Sequence, residues 1–320
     1  MRAGREFPSC PHVSHVGDGS CDMVLLHFCR NVPPGRIVGE WLRPRWLRLE
    51  GTFMRIIMLG TGHAVVTECY NTCFVIQDEA GHGLLVDGGG GSGIVTQMRH
   101  AHLVWEGIHE VFVTHRHIDH LLGIVWLLRM VGMGMRRGSY EGVLRIYGNE
   151  ETLNALEHVA YELLRDAEQA LLGNRIRLVR VADGETFELL GCPTRFFDLH
   201  AHDVSQLGFS MEYEPGSRLV CCGDVALKEA DYANARGARW LMHEAFCLSD
   251  HPASTFIRNV GHSTVAEACA TAERLGVEHV VLYHTEDHDL VHRRERYVEE
   301  GRRFFSGSIH VPDDLETIEL

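Results

Sequence analysis

The sequence predicts an α/β (α+β) protein in which two β-sheets are sandwiched between helices. Two observations carry this expectation. Short β-rich runs open the chain after residue 53 and return in its second half, and helical segments separate and close them. In order, RIIML, CFVIQ and GLLVD read as strands, the last running into Asp87 and the glycines Gly88 to Gly91. EVFVT reads as another strand, followed at once by HRHIDH and the apolar helix LLGIVWLLRM. ETLNALEHVAYELLRDAEQALL has Leu153, Leu156, Val159, Ala160, Leu163 and Leu164 at helical spacing, which predicts one amphipathic helix. RLVRV, TFELL, TRFFDLH, GFSMEY and RLVCCGD follow as short strands separated by turns. The end alternates: strand RWLMHE, helix TVAEACATAERL, strand HVVLYH, and an Arg- and Glu-rich helix from about Leu290 to Phe304.

The 320 residues are 45% hydrophobic and 23% charged, an ordinary globular composition with enough apolar material for a real core. The formal charge is -14, and Lys228 is the only lysine, so a broad electrostatic grip on a nucleic-acid backbone is not expected. Residues 1–53 read as an irregular extension that need not belong to the native fold: five prolines, no sustained period of 2 or 3.6, and seven Arg against five acids. Residues 54–320, carrying -16, are expected to form one catalytic domain that begins at Met54. Cys10, His12, His15, Cys21 and Cys29 contain no CxxC pair and make a poor zinc knuckle. The ten cysteines are scattered and no secretory h-region is present, so reduced thiols and a cytoplasmic location are expected. No apolar stretch approaches the roughly 20 residues of a membrane span, and no membrane partner is expected.

Chemistry concentrates in Thr114-His115-Arg116-His117-Ile118-Asp119-His120, where a strand gives way to a helix. Three imidazoles and a carboxylate within six residues exceed what one ion needs from one segment, and the spacing suits two. His115 and His117 alternate off the strand end, while Asp119 and His120 turn away at the helix start.

This segment resembles the HxHxDH signature of the metallo-β-lactamase superfamily, whose fold is a four-layer αββα sandwich. The resemblance implies three further ligand segments, each at a strand end. They are present: His202 in DLHAHDVSQLGF, Asp224 in CCGD and His284 in VVLYHTED. By resemblance His115, His117 and His202 would bind one divalent ion and Asp119, His120 and His284 a second, with Asp224 shared. Zinc is the expected metal and manganese the alternative. Such a centre would lower the pKa of a bridging water and so create the nucleophile, which Asp119 could aim. His200 competes with His202 for the ligand role; the spacing to Gly208 favours His202.

LGTG (59–62), Asn71-Thr72 and LLVDGGGG resemble the opening of ribonuclease Z and its relatives, where Asp87 would support the metal loops from behind rather than ligate. GHST places His262 where the phosphodiesterase branch has a histidine beside the scissile phosphate, which implies a proton donor or transition-state stabiliser. The same segment can start a helix, with Ser263 or Thr264 as N-cap and Glu267 completing a capping box. His243-Glu244-Ala245-Phe246 resembles the HEAT element, with Phe246 in place of Thr. Glu244 could orient His262 and keep it protonated, or be a buried strand-end ion pair.

The expected function is therefore a metal-dependent hydrolase, a phosphoric diester hydrolase acting on a small or nucleotide-like substrate. Long-arm ribonuclease Z proteins carry a tRNA-gripping insertion between the positions of His202 and Asp224, and here only a hairpin fits between them. The arginines 293, 294, 296, 302 and 303 interleave with glutamates and read as a solvated face. A tRNA 3′-end endonuclease activity is the alternative, with a partner or a homodimer supplying the grip. Lactone or thioester hydrolysis and a non-catalytic sensing module are further alternatives; a complete ligand set argues against the last.

Overall fold

The computed structural model describes residues 53–320. The irregular extension and the set Cys10, His12, His15, Cys21 and Cys29 therefore lie, Phe53 apart, outside the described residues. Strands β1 (Met54–Gly60), β2 (Cys73–Asp78) and β3 (Gly83–Val86) pair antiparallel in turn. To β3 are added, all parallel, β4 (Ile108–Phe112), β5 (Leu144–Gly148) and β6 (Ile176–Arg180). The second sheet starts with β7 (Thr186–Leu189), β8 (Cys192–Asp198), β9 (Leu207–Glu214) and β10 (Ser217–Cys221), paired antiparallel. It continues in parallel through β11 (Trp240–Glu244), β12 (His279–Tyr283) and β13 (Ser308–His310). The last strand, β14 (Thr317–Glu319), returns to pair antiparallel with β1. Each sheet thus has seven strands and the same run of pairings, three antiparallel and then three parallel.

Alternation along the strands decides which core each residue joins. In β1, Ile57 and Leu59 face helices α1 (Gly93–His100), α2 (Ile118–Arg137) and α3 (Glu150–Leu163), where Leu121, Ile124, Leu128 and Leu153 cover the sheet. Their neighbours Ile56 and Met58 face the other way, into a core between the sheets with Phe74, Phe112, Phe196, Phe209 and Met242. Beyond α4 (Asp166–Gln169), α5 (Tyr232–Ala235) and α6 (Ser254–Asn259), the helices α7 (Val265–Leu275) and α8 (Leu290–Gly301) close the outer face of the second sheet. There Ala268, Cys269, Ala272 and Tyr297 pack on Val220, Leu241 and Val280. Three cores between four layers give the expected αββα sandwich.

Four expectations are corrected. The single helix expected over ETLNALEHVAYELLRDAEQALL is broken: Leu164 turns to ψ 155° and is buried, and α4 follows as a separate turn. The break brings Glu168, fully buried, to Arg129 and Arg136 of α2 at 2.7 and 3.0 Å. Gln169 Nε2 donates to the carbonyls of Tyr161 and Leu164, satisfying acceptors that the broken helix frees. Strand β5 and helix α1 were not anticipated. Arg293 is not on a solvated face but buried, with its guanidinium donating to Thr61, Thr285, the Pro312 carbonyl and Asp313. Finally, α2 runs 20 residues and is apolar enough to cross a membrane by length and composition, although 67% of its most apolar window is buried inside the fold.

Candidate metal centre

The functional side chains sit where strands end. Val113 to His117 follow β4, and His117 precedes α2 with extended backbone, so Asp119 and His120 fall on the first helical turn. Asp224 follows β10, His243 and Glu244 end β11, and His284 is the first residue after β12. Asp87 follows β3 in the same way. Asp87 and His284 adopt φ of 57° and 56°, a conformation that side chains other than glycine's rarely take and that costs about 1 kcal/mol or more.

Asp87 ties the loops together. Its carboxylate accepts the Thr114 N–H at 2.8 Å and the Thr114 hydroxyl at 2.9 Å, and faces His120 Nδ1 at 2.8 Å. That contact makes Nδ1 the protonated nitrogen of His120 and leaves Nε2 as the donor atom for a metal. The glycines beside it permit close approach: Gly88 N–H donates to the His120 carbonyl and Gly123 N–H to that of Gly89. A Cβ on Gly123 would lie 1.7 Å from the Gly88 oxygen. Gly123→Ala is accordingly expected to destabilise the fold by about 1–3 kcal/mol through overpacking and to lower metal content by displacing the first turn of α2. An unchanged melting temperature would refute this account of the contact.

At the centre, Asp224 Oδ2 lies 3.5 Å from His115 Nε2, 3.4 Å from His120 Nε2 and 3.5 Å from His284 Nε2. Asp119 Oδ2 lies 3.3 Å from His120 Nε2 and 3.6 Å from His284 Nε2. Three overlapping groups result, His115–His120–Asp224, Asp119–His120–His284 and, through His284, Glu244–His262–His284, each with its donor atoms within 4.8 Å of one another. His120 Nε2, His284 Nε2 and Asp224 Oδ1 are buried without a hydrogen-bond partner. Buried orphans of this kind are rare and costly, and their convergence fits a divalent cation of nitrogen and oxygen preference. Burial pushes His115 well below the usual imidazole range, whereas for His120 burial is outweighed by the carboxylates of Asp119 and Asp87, which hold it well above that range, so a metal would displace its Nε2 proton. Burial works against ionising Asp119 and Asp224, but the surrounding histidines outweigh it and hold both carboxylates ionised. Neutral imidazole and ionised carboxylate are the ligating forms.

The structure brings His115, Asp119, His120, Asp224 and His284 together. His117 joins through its Nδ1, 2.9 Å from His115 Nε2, while its Nε2 faces Asp203 at 3.1 Å. His202 is exposed on the loop between β8 and β9 and belongs to none of these groups. His200 is also exposed, with φ 52° and its Nδ1 3.1 Å from Asp231.

His262 lies beside His284, the two rings nearly parallel with centroids 5.3 Å apart, and remains 19% exposed. Its Nδ1 is 3.8 Å from Glu244 Oε2, an ion-pair distance rather than a hydrogen bond, and both atoms lack hydrogen-bond partners. The other Glu244 oxygen accepts the Ser263 N–H. The expectation that Glu244 keeps His262 protonated is corrected: burial, then His284, lower His262 to about 4, and burial raises Glu244. The helix-start reading of GHST also holds, since Thr264 and Glu267 form a complete capping box on α7.

Two neighbours of the site escaped the sequence reading. Asp203 contacts His117. His63, in the loop after β1, stacks on Phe246 with centroids 4.3 Å apart and lies 6.4 Å from His284. The signal available was a histidine directly after the LGTG turn.

A four-layer sandwich with imidazoles and carboxylates converging at its strand ends defines a metal-dependent hydrolase. The family model described as Beta-lactamase superfamily domain matches residues 82–285, more than half of the chain, and the chain belongs to that superfamily. A ribonuclease Z of Pseudomonas putida is 27% identical over 316 residues, covering 83% of this chain and 97% of that one. Among solved structures, the metallo-beta-lactamase fold protein YhfI of Bacillus subtilis matches with a TM-score of 0.68 at 17% identity, covering 84% of this chain and all of that one. The short form of human tRNase Z matches with a TM-score of 0.62 at 22% identity, covering 82% and 98%.

Proposed function

We propose that the protein is a dinuclear zinc phosphodiesterase acting on a small or nucleotide-like diester. The observation that carries this reading is the partly exposed His262 beside His284, a further imidazole at the rim of the ligand cluster, open enough to meet a substrate. When bound, two divalent ions would supply an activated water and offset negative charge on the phosphoryl group. Asp119 accepts a hydrogen bond from the attacking water and orients it. His262 is neutral at neutral pH, and the buried carboxyl of Glu244 faces its Nδ1. A short ring movement brings the pair into hydrogen bonding, with the Glu244 proton donated to Nδ1 and the His262 proton on Nε2, directed at the leaving oxygen.

Size and charge favour a small substrate. The span from His202 to Asp224 holds only the end of a loop and the β9–β10 hairpin. The arginines of α8 and of the turn after it are largely committed: Arg293 is buried, Arg294 pairs with Asp313 and Glu316, Arg296 with Asp289, and Arg303 with Glu299. Few are left to neutralise RNA phosphates. The similarity to a ribonuclease Z supports tRNA 3′-end cleavage as the second reading. The two separate in one assay: a precursor tRNA set against cyclic mononucleotides, dinucleotides and bis-p-nitrophenyl phosphate at fixed salt. Turnover of small diesters with little trailer removal is expected. Efficient trailer removal at low enzyme concentration would reverse the preference.

A further inference from the structure

We infer that His63 is a substrate-binding residue of this site, donating its Nε2–H to a phosphoryl oxygen of the bound diester; the inference rests on the phosphodiester reading above. The backbone of His63 is fixed on both sides. Its N–H donates to the Thr285 carbonyl at 3.1 Å, next to His284, and its own carbonyl accepts the Asn71 side-chain amide at 2.8 Å. The ring is fixed as well. It stacks on Phe246 at 27° between planes, and its Nδ1 accepts the Val65 N–H at 3.3 Å.

That last contact sets the tautomer. An N–H pointing at Nδ1 requires a lone pair there, so the proton resides on Nε2. Nε2 makes no hydrogen bond to any described residue, and His63 is only half-buried, so a donor is held ready in a place open to solvent. The placement relative to the cluster is equally specific. His63, Phe246 and His262 form a row of rings, with centroid spacings of 4.3 and 5.3 Å, and each lies within 6.4 Å of the His284 ring. Two imidazoles therefore flank one aromatic spacer along one side of the ligand cluster. With His262 assigned to the leaving oxygen, His63 reaches a different oxygen of the same group. Phe246 stands at the position where the resembling motif has threonine, and its ring supplies the surface on which His63 is stacked.

Replacing His63 by Phe keeps a flat ring against Phe246 and removes the donor, while His63→Asn keeps a donor on a shorter side chain. With zinc-loaded protein, the affinity for inorganic phosphate measured by calorimetry is expected to fall about ten- to a hundredfold in His63→Phe, as for loss of a hydrogen bond to a charged partner. His63→Asn should recover part of it, and metal content and melting temperature should stay at wild-type values in both. Wild-type phosphate affinity in His63→Phe, or loss of metal with either substitution, overturns the inference. If the wild type hydrolyses no diester while the phosphate effect holds, the proposed reaction fails and the anion-binding role of His63 stands.

Discussion

Asp224→Ala is expected to abolish binding of both metal ions and to reduce hydrolysis of bis-p-nitrophenyl phosphate by about a thousandfold or more, the equivalent of several kcal/mol of lost charge stabilisation. The reason is positional. Among the described residues Asp224 Oδ2 lies within 3.5 Å of three different imidazoles, His115, His120 and His284, so it touches histidines of both groups that contain an aspartate. Asp119 reaches only His120 and His284. Asp119→Ala should therefore reduce metal content to about one ion per chain while Asp224→Ala empties the site. Equal metal content in the two variants, measured by elemental analysis, would contradict the shared role of Asp224.

His262→Ala is expected to leave metal content intact and lower diester turnover by about 10²- to 10⁴-fold, the usual contribution of a positioned proton donor. His262 meets the cluster through ring faces, Glu244 and the Asp224 backbone, and belongs only to the group with Glu244 and His284, which contains no aspartate. A substrate with an acidic leaving group needs less proton donation. The loss should accordingly be smaller for bis-p-nitrophenyl phosphate than for a dialkyl diester. A uniform loss across leaving groups would assign His262 to charge stabilisation at phosphorus instead. Disappearance of the metal would make it a ligand.

Much of this architecture was legible in the sequence because its signals are local. The HxHxDH run lies within one strand-to-helix turn, and Asp87, Asp224 and His284 each close a short apolar strand, a pattern visible without any tertiary information. What was missed depends on contacts distant in sequence. The Arg293 guanidinium looks like one more surface charge in a run of Arg and Glu until Thr61 and Asp313 are placed around it. The break after Leu163 is invisible to a 3.6-residue period, because what accompanies it is a contact distant in sequence, Glu168 with arginines of α2. Strand β5 is a five-residue parallel strand whose pattern is short enough to pass for a loop. His63 carried a weak signal, and its role emerges only when the loop after β1 is seen beside the end of β12.

The matched run of pairings in the two sheets has a consequence for how the active centre comes to exist. His115, Asp119 and His120 follow a strand of the first sheet, whereas Asp224 and His284 follow strands of the second. Neither half of the chain alone holds all of the donor atoms that converge at the site. The candidate donors meet across the seam between the two sheets, much as two subunits of a dimer would share one ion. Cation affinity in such a protein is a direct measure of how well its two halves are docked. Substitutions in the core between the sheets, far from any ligand, should then be felt as weakened metal binding before they are felt as unfolding.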